Sequence, residues 1–316
     1  MTETKTTHVA AGILIRPDGQ FLLGSRPEGK PYAGWWEFPG GKLEAGETPL
    51  QALVRELHEE MGVTVSVAQP WLVQTFTYPH AHVRLNFFKV TDWQGEPHPH
   101  EGQAFAWQVP GALTVDPVLP ANTPILRGLQ LPRVLPFSNV AELGETAWLK
   151  QLDLALAQGL RWLVLREPQL PAAAYAGLAA EVQARLQPYE ARLLVHGLPE
   201  RARELSAAGV HLPARILMET TERPAGWCGA SVHNATELAR VAELGLDYAV
   251  LGAIQPTQTH PGSATLGWDG FAALVGQGWP FPVYGIGGLK PADLAAAQAA
   301  GAQGVALLRA AWQGLS

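Results

Sequence analysis

The sequence predicts a two-domain protein of mixed α+β and α/β class, with residues 1–131 forming one domain and 132–316 a parallel (β/α)8 TIM barrel. Three observations predict this. The chain has 316 residues, more than one typical domain of roughly 100–150 residues. Pro117, Pro120, Pro124, Pro132 and Pro136 crowd the segment from Thr114 to Pro136, which reads as a late loop, a short helix and a linker. Beyond that segment the apolar rhythm changes from mainly β-type runs to strands alternating with helices.

In the first domain, Val9–Ile15 reads as a strand, Pro17–Gly19 as a turn and Gln20–Ser25 as a second strand, together a hairpin. A Gly/Pro-rich loop follows from Pro27 to Gly46. A helix comes next, then β-type segments at Leu72–Tyr78 and Val83–Thr91. In the second domain eight short apolar runs stand out: Val134–Phe137, Trp162–Leu165, Leu193–Val195, Val210–Leu212, Gly229–Val232, Tyr248–Leu251, Val283–Ile286 and Gly304–Leu307. Helical stretches at Ala141–Gln158, Ala172–Leu186, Ala235–Leu244 and Pro291–Ala300 lie between them. Such alternation predicts a closed parallel barrel with its active groups at the strand C-terminal ends; a doubly wound open sheet is the alternative.

Composition narrows the function. Hydrophobic residues make up 47% and charged residues 16%, a globular balance with ample core material. A net charge of −6 argues against polymeric nucleic acid as a partner, so any nucleotide handled is a small molecule. Cys228 is the sole cysteine, which suits a reducing, cytoplasmic setting. Met1–His8 is polar, without the apolar stretch of a signal peptide, and no run is long enough to span a bilayer.

The richest stretch is Gly40–Val63, GGKLEAGETPLQALVRELHEEMGV. Thr48 is a good N-cap, Pro49 fits the first helical position and Gln51 completes a capping box. Gly62 supplies the stop, so the helix spans Pro49–Met61, with Leu50, Leu53, Val54 and Leu57 as its buried stripe. On another face Glu56, Glu59 and Glu60 stand at i, i+3 and i+4 and project together. Three such charges repel: at about 5–6 Å and an effective dielectric of about 20, each pair costs on the order of 3 kcal/mol. A divalent cation is the natural compensation, and oxygen-only ligands suit Mg²⁺ or Mn²⁺. Arg55 and Glu47 pair with this cluster or brace the preceding loop.

Gly41, Glu47, Arg55, Glu56, Leu57, Glu59, Glu60, Gly62 and Val63 match every fixed position of the Nudix box, G-x5-E-x7-R-E-U-x-E-E-x-G-U with U aliphatic. The resemblance implies an α/β/α sandwich with a mixed sheet. It also implies a hydrolase in which Gly41 offers a carbonyl and Glu56, Glu59 and Glu60 carboxylates to the metal. Arg55 joins them in the catalytic group, and Glu56 or a later acid serves as base. Trp36–Gly46, WEFPGGKLEAG, resembles the MutT-type branch, which acts on 8-oxo-dGTP. In that branch Glu101 corresponds to a further metal-binding acid and candidate base, and Asn122 to an asparagine that reads the purine edge. An amide offers both donor and acceptor for that task. Arg26, Phe38 and Tyr78 fall at substrate-contacting positions. Plain alternatives stand beside these roles: a turn for Asn122, a solvated loop for Glu101, core packing for Phe38. Water attack at the β-phosphorus would yield nucleoside monophosphate and pyrophosphate.

The second domain carries LRE at Leu165–Glu167, GVHLP at Gly209–Pro213, SVH at Ser231–His233 and DYAVLG at Asp247–Gly252. Thr257–Thr259 with Gly262, and GIGG at Gly285–Gly288, complete the series. In this order they resemble the thiamine phosphate synthase superfamily, most closely its TenI branch of thiazole tautomerases. The chain departs from the synthase pattern at four places. Pro168 and His260 replace lysines, His196-Gly197 replaces an Asn-Asp pair, and Pro213–Arg215 lacks a metal-binding acid. Without those groups a pyrophosphate leaving group lacks neutralisation, so little or no synthase activity is expected. In the TenI branch His233 corresponds to an acid/base and Gly287 and Gly288 to a phosphate cradle. Two alternatives remain open: a barrel that only binds a thiazole or pyrimidine phosphate, and a hydrolase directed at thiamine-pathway diphosphates.

Overall fold

The computed structural model describes residues 6–257 and 264–314, and the chain falls into two compact units that divide after Gln130, with Gly278–Phe281 grouped with the first. In the first unit the strands are β1 (Thr6–Leu14), β2 (Phe21–Ser25), β3 (Trp36–Glu37), β4 (Gly40–Lys42), β5 (Thr64–Tyr78), β6 (Ala81–Gln94) and β7 (Phe105–Gln108). The helices are α1 (Pro49–Met61) and α2 (Thr123–Gly128). A mixed sheet runs β4-β1-β6-β5, with β1 parallel to β6 and antiparallel to β4, beside a smaller antiparallel sheet β3-β2-β7.

Alternation along β1 builds both sides of this unit, because successive side chains point to opposite faces. Ala10 and Leu14 join Leu53, Leu57 and Met61 of α1 in one buried cluster, whereas Ala11 and Ile13 join Phe38, Leu72, Phe87 and Ile125 of α2 in the other. The result is the sandwich with a mixed sheet that the Nudix resemblance implies.

Three sequence expectations need correction here. The first two strands form a hairpin only at its root, where Ile15 bridges Phe21; beyond it β1 pairs along its whole length with β6 and β2 turns to β7. The stripe of α1 is narrower than expected: Ala52, Leu53, Leu57 and Met61 are buried, while Leu50 and Val54 are 44% and 37% exposed. The expected Ala141–Gln158 helix is two, α3 (Val140–Leu143) and α4 (Glu145–Ala157), broken at Gly144, whose φ of 78° and ψ of 148° lie outside the helical region.

The second unit continues with β8 (Val134–Pro136), β9 (Trp162–Leu165), β10 (Arg192–His196), β11 (Gly209–Leu212), β12 (Trp227–Val232), β13 (Tyr248–Gly252), β14 (Val283–Ile286) and β15 (Gly304–Leu307). Its remaining helices are α5 (Ala172–Leu186), α6 (Pro199–Glu204), α7 (Ala214–Glu219), α8 (Ala235–Leu244), α9 (Gly267–Val275) and α10 (Leu294–Ala299). The eight strands pair in parallel from β9 round to β15 and β8. The ring closes between β8 and β9 by a bridge from Phe137 to Val164 and the Ser138 N–H donating to the Val164 carbonyl. The expected barrel is therefore present, and the open sheet is not. Its interior is packed: Leu135, Phe137, Val164, Leu194, Tyr248, Val250 and Tyr284 form one buried cluster. Room for the Tyr248 ring comes from Gly229, where a Cβ would stand 2.1 Å from it. No helix among the described residues is long and apolar enough to cross a membrane.

Candidate functional site

Local chemistry sets α1 in place. The Thr48 side chain accepts from Gln51 N–H, the Gln51 side chain accepts from Thr48 N–H, and Gly62 ends the helix in the left-handed region at φ 70°. The Gly40–Gly41 turn lies against this helix. A Cβ on Gly40 would stand 2.1 Å from the Ala10 carbonyl oxygen, and one on Gly41 would stand 2.2 Å from the Glu56 carboxyl carbon. Only two bare backbone positions let β4 approach β1 while the Glu56 carboxylate lies flush on the turn.

Arg55 brackets the acidic face. Its Nε and Nη2 donate to the two Glu47 oxygens at 2.8 and 2.9 Å, Nη2 donates to the Lys42 carbonyl at 3.1 Å, and Nη1 donates to Glu56 at 2.9 Å and Glu59 at 3.0 Å. So Arg55 both pairs with the cluster and braces the loop. The Arg55 hydrogen bonds and the Glu44 N–H hold the Glu47 carboxyl down at about 2. Glu60 turns inward and accepts from Gly40 N–H at 3.2 Å. Burial, and then the charges of Glu56 and Glu101, push its carboxyl up to about 7 despite that N–H and the Lys30 ammonium.

The three glutamates do not all point the same way, as the helical spacing alone suggested. Glu56 and Glu60 face the glycine turn, whereas Glu59 is 57% exposed on Arg55. Among the described residues no group of three His, Cys, Asp or Glu side chains is arranged to hold a metal ion. Glu101 lines a narrow cleft with Glu37, Gly40 and Glu60, and its carboxylate accepts from Lys30 at 2.9 Å. Lys30, Glu37 and Gln103 were not singled out in the sequence. Gln103 ties the Glu101 loop to α1, accepting from Glu101 N–H and donating to the Glu60 carbonyl. The donor set nevertheless suits a hard divalent cation. It consists of carboxylates and a turn carbonyl, and Glu60 is burdened by two neighbouring acid charges.

Beside the cleft stand the remaining expected residues. Arg26 donates through Nη1 to both oxygens of Glu37 at 2.6 and 2.7 Å and through Nε to the Pro31 carbonyl. Burial raises the Glu37 carboxyl against that pairing. Phe38 is buried against Phe21 and Phe87. Burial, then the Glu37 charge, push the Tyr78 hydroxyl up to about 12. Asn122 is 4% exposed in the turn before α2, and its Nδ2 is buried without a hydrogen-bond partner among the described residues.

Comparison with known proteins accounts for both units. The model described as NUDIX domain matches residues 6–128, and that described as Thiamine monophosphate synthase matches residues 138–311. Residues of the first unit are 42% identical over 127 positions to the 8-oxo-dGTP diphosphatase of Haemophilus influenzae, covering 40% of this chain and 93% of that protein. They are 38% identical to the CTP pyrophosphohydrolase of Escherichia coli, covering 39% and 90%. The second unit is 34% identical to a Geobacter sulfurreducens protein named for thiamine-phosphate synthase, covering 49% and 75%. The chain belongs to the Nudix family in its first unit and to the thiamine monophosphate synthase family in its second.

The Nudix hydrolase thus carries a family barrel whose expected site residues fall as follows. His233 directly follows β12 with its imidazole 60% exposed; its Nδ1 and N–H both meet Glu237 Oε2. Gly287 and Gly288 have φ of 105° and 69°, and a Cβ on either would stand within 2.8 Å of the 253–255 segment, so packing alone demands glycine at both. Glu167 of the LRE motif is buried, accepting from Ser138 Oγ, Val140 N–H, Ala141 N–H and Gln169. Thr259, His260 and Gly262 lie outside the described residues. Inside the barrel His211, not singled out in the sequence, is fully buried, with Nδ1 3.0 Å from the Tyr248 hydroxyl and Nε2 2.9 Å from Ser231 Oγ.

Proposed function

We propose that the first unit hydrolyses oxidised purine nucleoside triphosphates, chiefly 8-oxo-dGTP, to the nucleoside monophosphate and pyrophosphate. The observation that carries this reading is the buried, unpartnered Nδ2 of Asn122. A buried donor without an acceptor costs about 1–3 kcal/mol, so a ligand that supplies the acceptor recovers that free energy on binding. The identity to 8-oxo-dGTP diphosphatases supports the same substrate class.

Gly41, Glu56, Glu59, Glu60 and Glu101 would hold Mg²⁺ or Mn²⁺, which supplies charge neutralisation at the phosphate oxygens and an activated water. The chain's own residues do the rest. Arg55 fixes the carboxylates of Glu47, Glu56 and Glu59 in one network. Glu56, flush on Gly41, or Glu101 accepts the proton of the attacking water. Tyr78 gives the nucleobase an aromatic seat, Phe38 packs the core against Phe21 and Phe87, and Arg26 acts through Glu37. The barrel has no lysine at Pro168 and no acid at Pro213–Arg215, so formation of thiamine phosphate is not part of this function.

The test is a substrate panel on the intact chain with Mg²⁺: 8-oxo-dGTP, dGTP, CTP and thiamine-type diphosphates, on the parent protein, Glu59→Gln and Asn122→Ala. The reading predicts the highest kcat/KM for 8-oxo-dGTP and loss of that preference in Asn122→Ala. Equal kcat/KM for 8-oxo-dGTP and dGTP, or a thiamine-type diphosphate as best substrate, would contradict it.

A further inference from the structure

The loop of residues 26–35, which joins β2 to β3, is pinned on both sides of its tip. Arg26 N–H donates to the Trp35 carbonyl at 2.8 Å, and Gly34 N–H donates back to the Arg26 carbonyl at 2.9 Å. The Arg26 Nε reaches the Pro31 carbonyl at 2.6 Å. Next to it the Tyr32 ring lies against Trp35, Tyr78 and His80, with centroids 5.2, 5.6 and 5.9 Å away. Tyr32 holds a φ of 60°, a left-handed backbone that an aromatic residue adopts at a cost, and these ring contacts sustain it. Lys30, two residues before Tyr32, is therefore carried on a fixed arm.

The arm presents one ammonium to three carboxylates. Lys30 Nζ donates to Glu101 Oε2 at 2.9 Å, and that bond first, with the charges of Glu60 and Glu37 behind it, holds the ammonium above its ordinary value despite partial burial. Glu37 already has a cation of its own, since Arg26 donates to both its oxygens. The Glu60 carboxylate accepts only from Gly40 N–H among the described residues. Lys30, Glu60 and Glu101 line the same narrow cleft. The Lys30 and Glu101 side chains are 49% and 46% exposed, so their pairing is weakly held and easily exchanged.

A divalent cation that takes Glu101 and Glu60 both repels the Lys30 ammonium and removes its partner. The arm then leaves a positive charge in the cleft, beside the phosphates that such an ion accompanies. We propose that Lys30 is a substrate-contacting residue that exchanges partners, its ammonium yielding Glu101 to the incoming cation and pairing instead with the phosphate chain of the nucleotide. The inference rests on the reading of the first unit as a metal-dependent triphosphate hydrolase. Lys30 keeps its proton throughout and takes no part in bond-making at phosphorus. Its charge therefore opposes the metal binding alone and favours the triphosphate once the metal is in place. A residue needed only to hold the loop would shift both affinities the same way.

The test uses the full chain as parent, Lys30→Gln and Lys30→Arg. Mn²⁺ binding without nucleotide is followed through the spin-resonance signal of the free ion. A dGTP analogue with a methylene α,β-bridge is then titrated by calorimetry in saturating Mn²⁺. In Lys30→Gln, Mn²⁺ alone should bind about threefold more tightly, whereas the analogue should bind about tenfold more weakly. Lys30→Arg, which keeps the charge, should stay within about threefold of the parent in both. A parent that binds Mn²⁺ and analogue, with a Lys30→Gln protein that matches it in both or loses affinity for both, overturns this proposal and leaves the nucleotide reading standing. A parent that binds neither overturns the two together.

Discussion

Asn122 and Glu60 each hold an arrangement that is unfavourable in the ligand-free protein. The Asn122 amide lacks an acceptor, so Asn122→Ala removes a buried orphan donor. The ligand-free protein should therefore lose less than about 1 kcal/mol of stability, while kcat/KM for 8-oxo-dGTP falls about tenfold or more; a melting curve and steady-state kinetics check the two together. Glu60 carries a carboxyl raised to about 7 by burial first and by Glu56 and Glu101 second. A carboxyl raised on folding contributes stability below its ordinary value and loses that contribution as pH climbs through the folded value. Metal-free protein should melt lower at pH 8 than near pH 5, Glu60→Gln should flatten that slope, and Mg²⁺ should raise the melting temperature most at the alkaline end. That Glu56 and Glu60 stand together beside the two glycines was legible because the spacing of the acids along one helix is local, whereas the outward turn of Glu59 was not. Lys30, Glu37 and Gln103 were not, since Lys30 meets Glu101 across 71 positions and nothing in either loop announces the pairing.

At the scale of elements, the glycine turn and α1 work as one device. Gly41→Ala would drive a Cβ into the Glu56 carboxylate, the movable end of a flexible side chain. We expect melting within about 1 kcal/mol of the parent but hydrolysis down about 100-fold, because a misplacement of about 1 Å at a catalytic group costs that much. Thr48→Ala loses the cap and should cost about 1 kcal/mol without touching the acids, a contrast that urea denaturation resolves. The bounds of α1 were legible because capping is decided within a few residues. Its buried face was misread at Leu50 and Val54, since the sheet decides which part of an apolar arc it covers. The hairpin expected from β1 and β2 was misread for a related reason. A turn fixes only its own root, and the partners β6 and β7 lie far along the chain.

On the scale of the whole molecule, the barrel was legible in outline because every strand sits between helices and carries its own apolar run. All eight expected runs overlap a strand of the ring, and closure falls to Phe137 and Ser138, one and two residues past the end of β8. The polar side chains inside the barrel were less legible. His211 reads as one more residue of a buried strand until the register places it between His196 and Tyr248. The departures at Pro168 and Pro213–Arg215 predict that the full chain, given the phosphorylated precursors and Mg²⁺, forms no thiamine phosphate above background, as product analysis would record. The central claim is that the acidic face of α1 gathers a divalent ion where phosphates dock. Its most direct test is hydrolysis of 8-oxo-dGTP by the intact chain as Mg²⁺ is titrated from a chelated baseline, in parent and Glu56→Gln proteins. The account predicts no turnover in chelator, recovery with Mg²⁺, and loss of about a thousandfold or more in the variant; turnover that persists in chelator, or a variant as active as the parent, would contradict it.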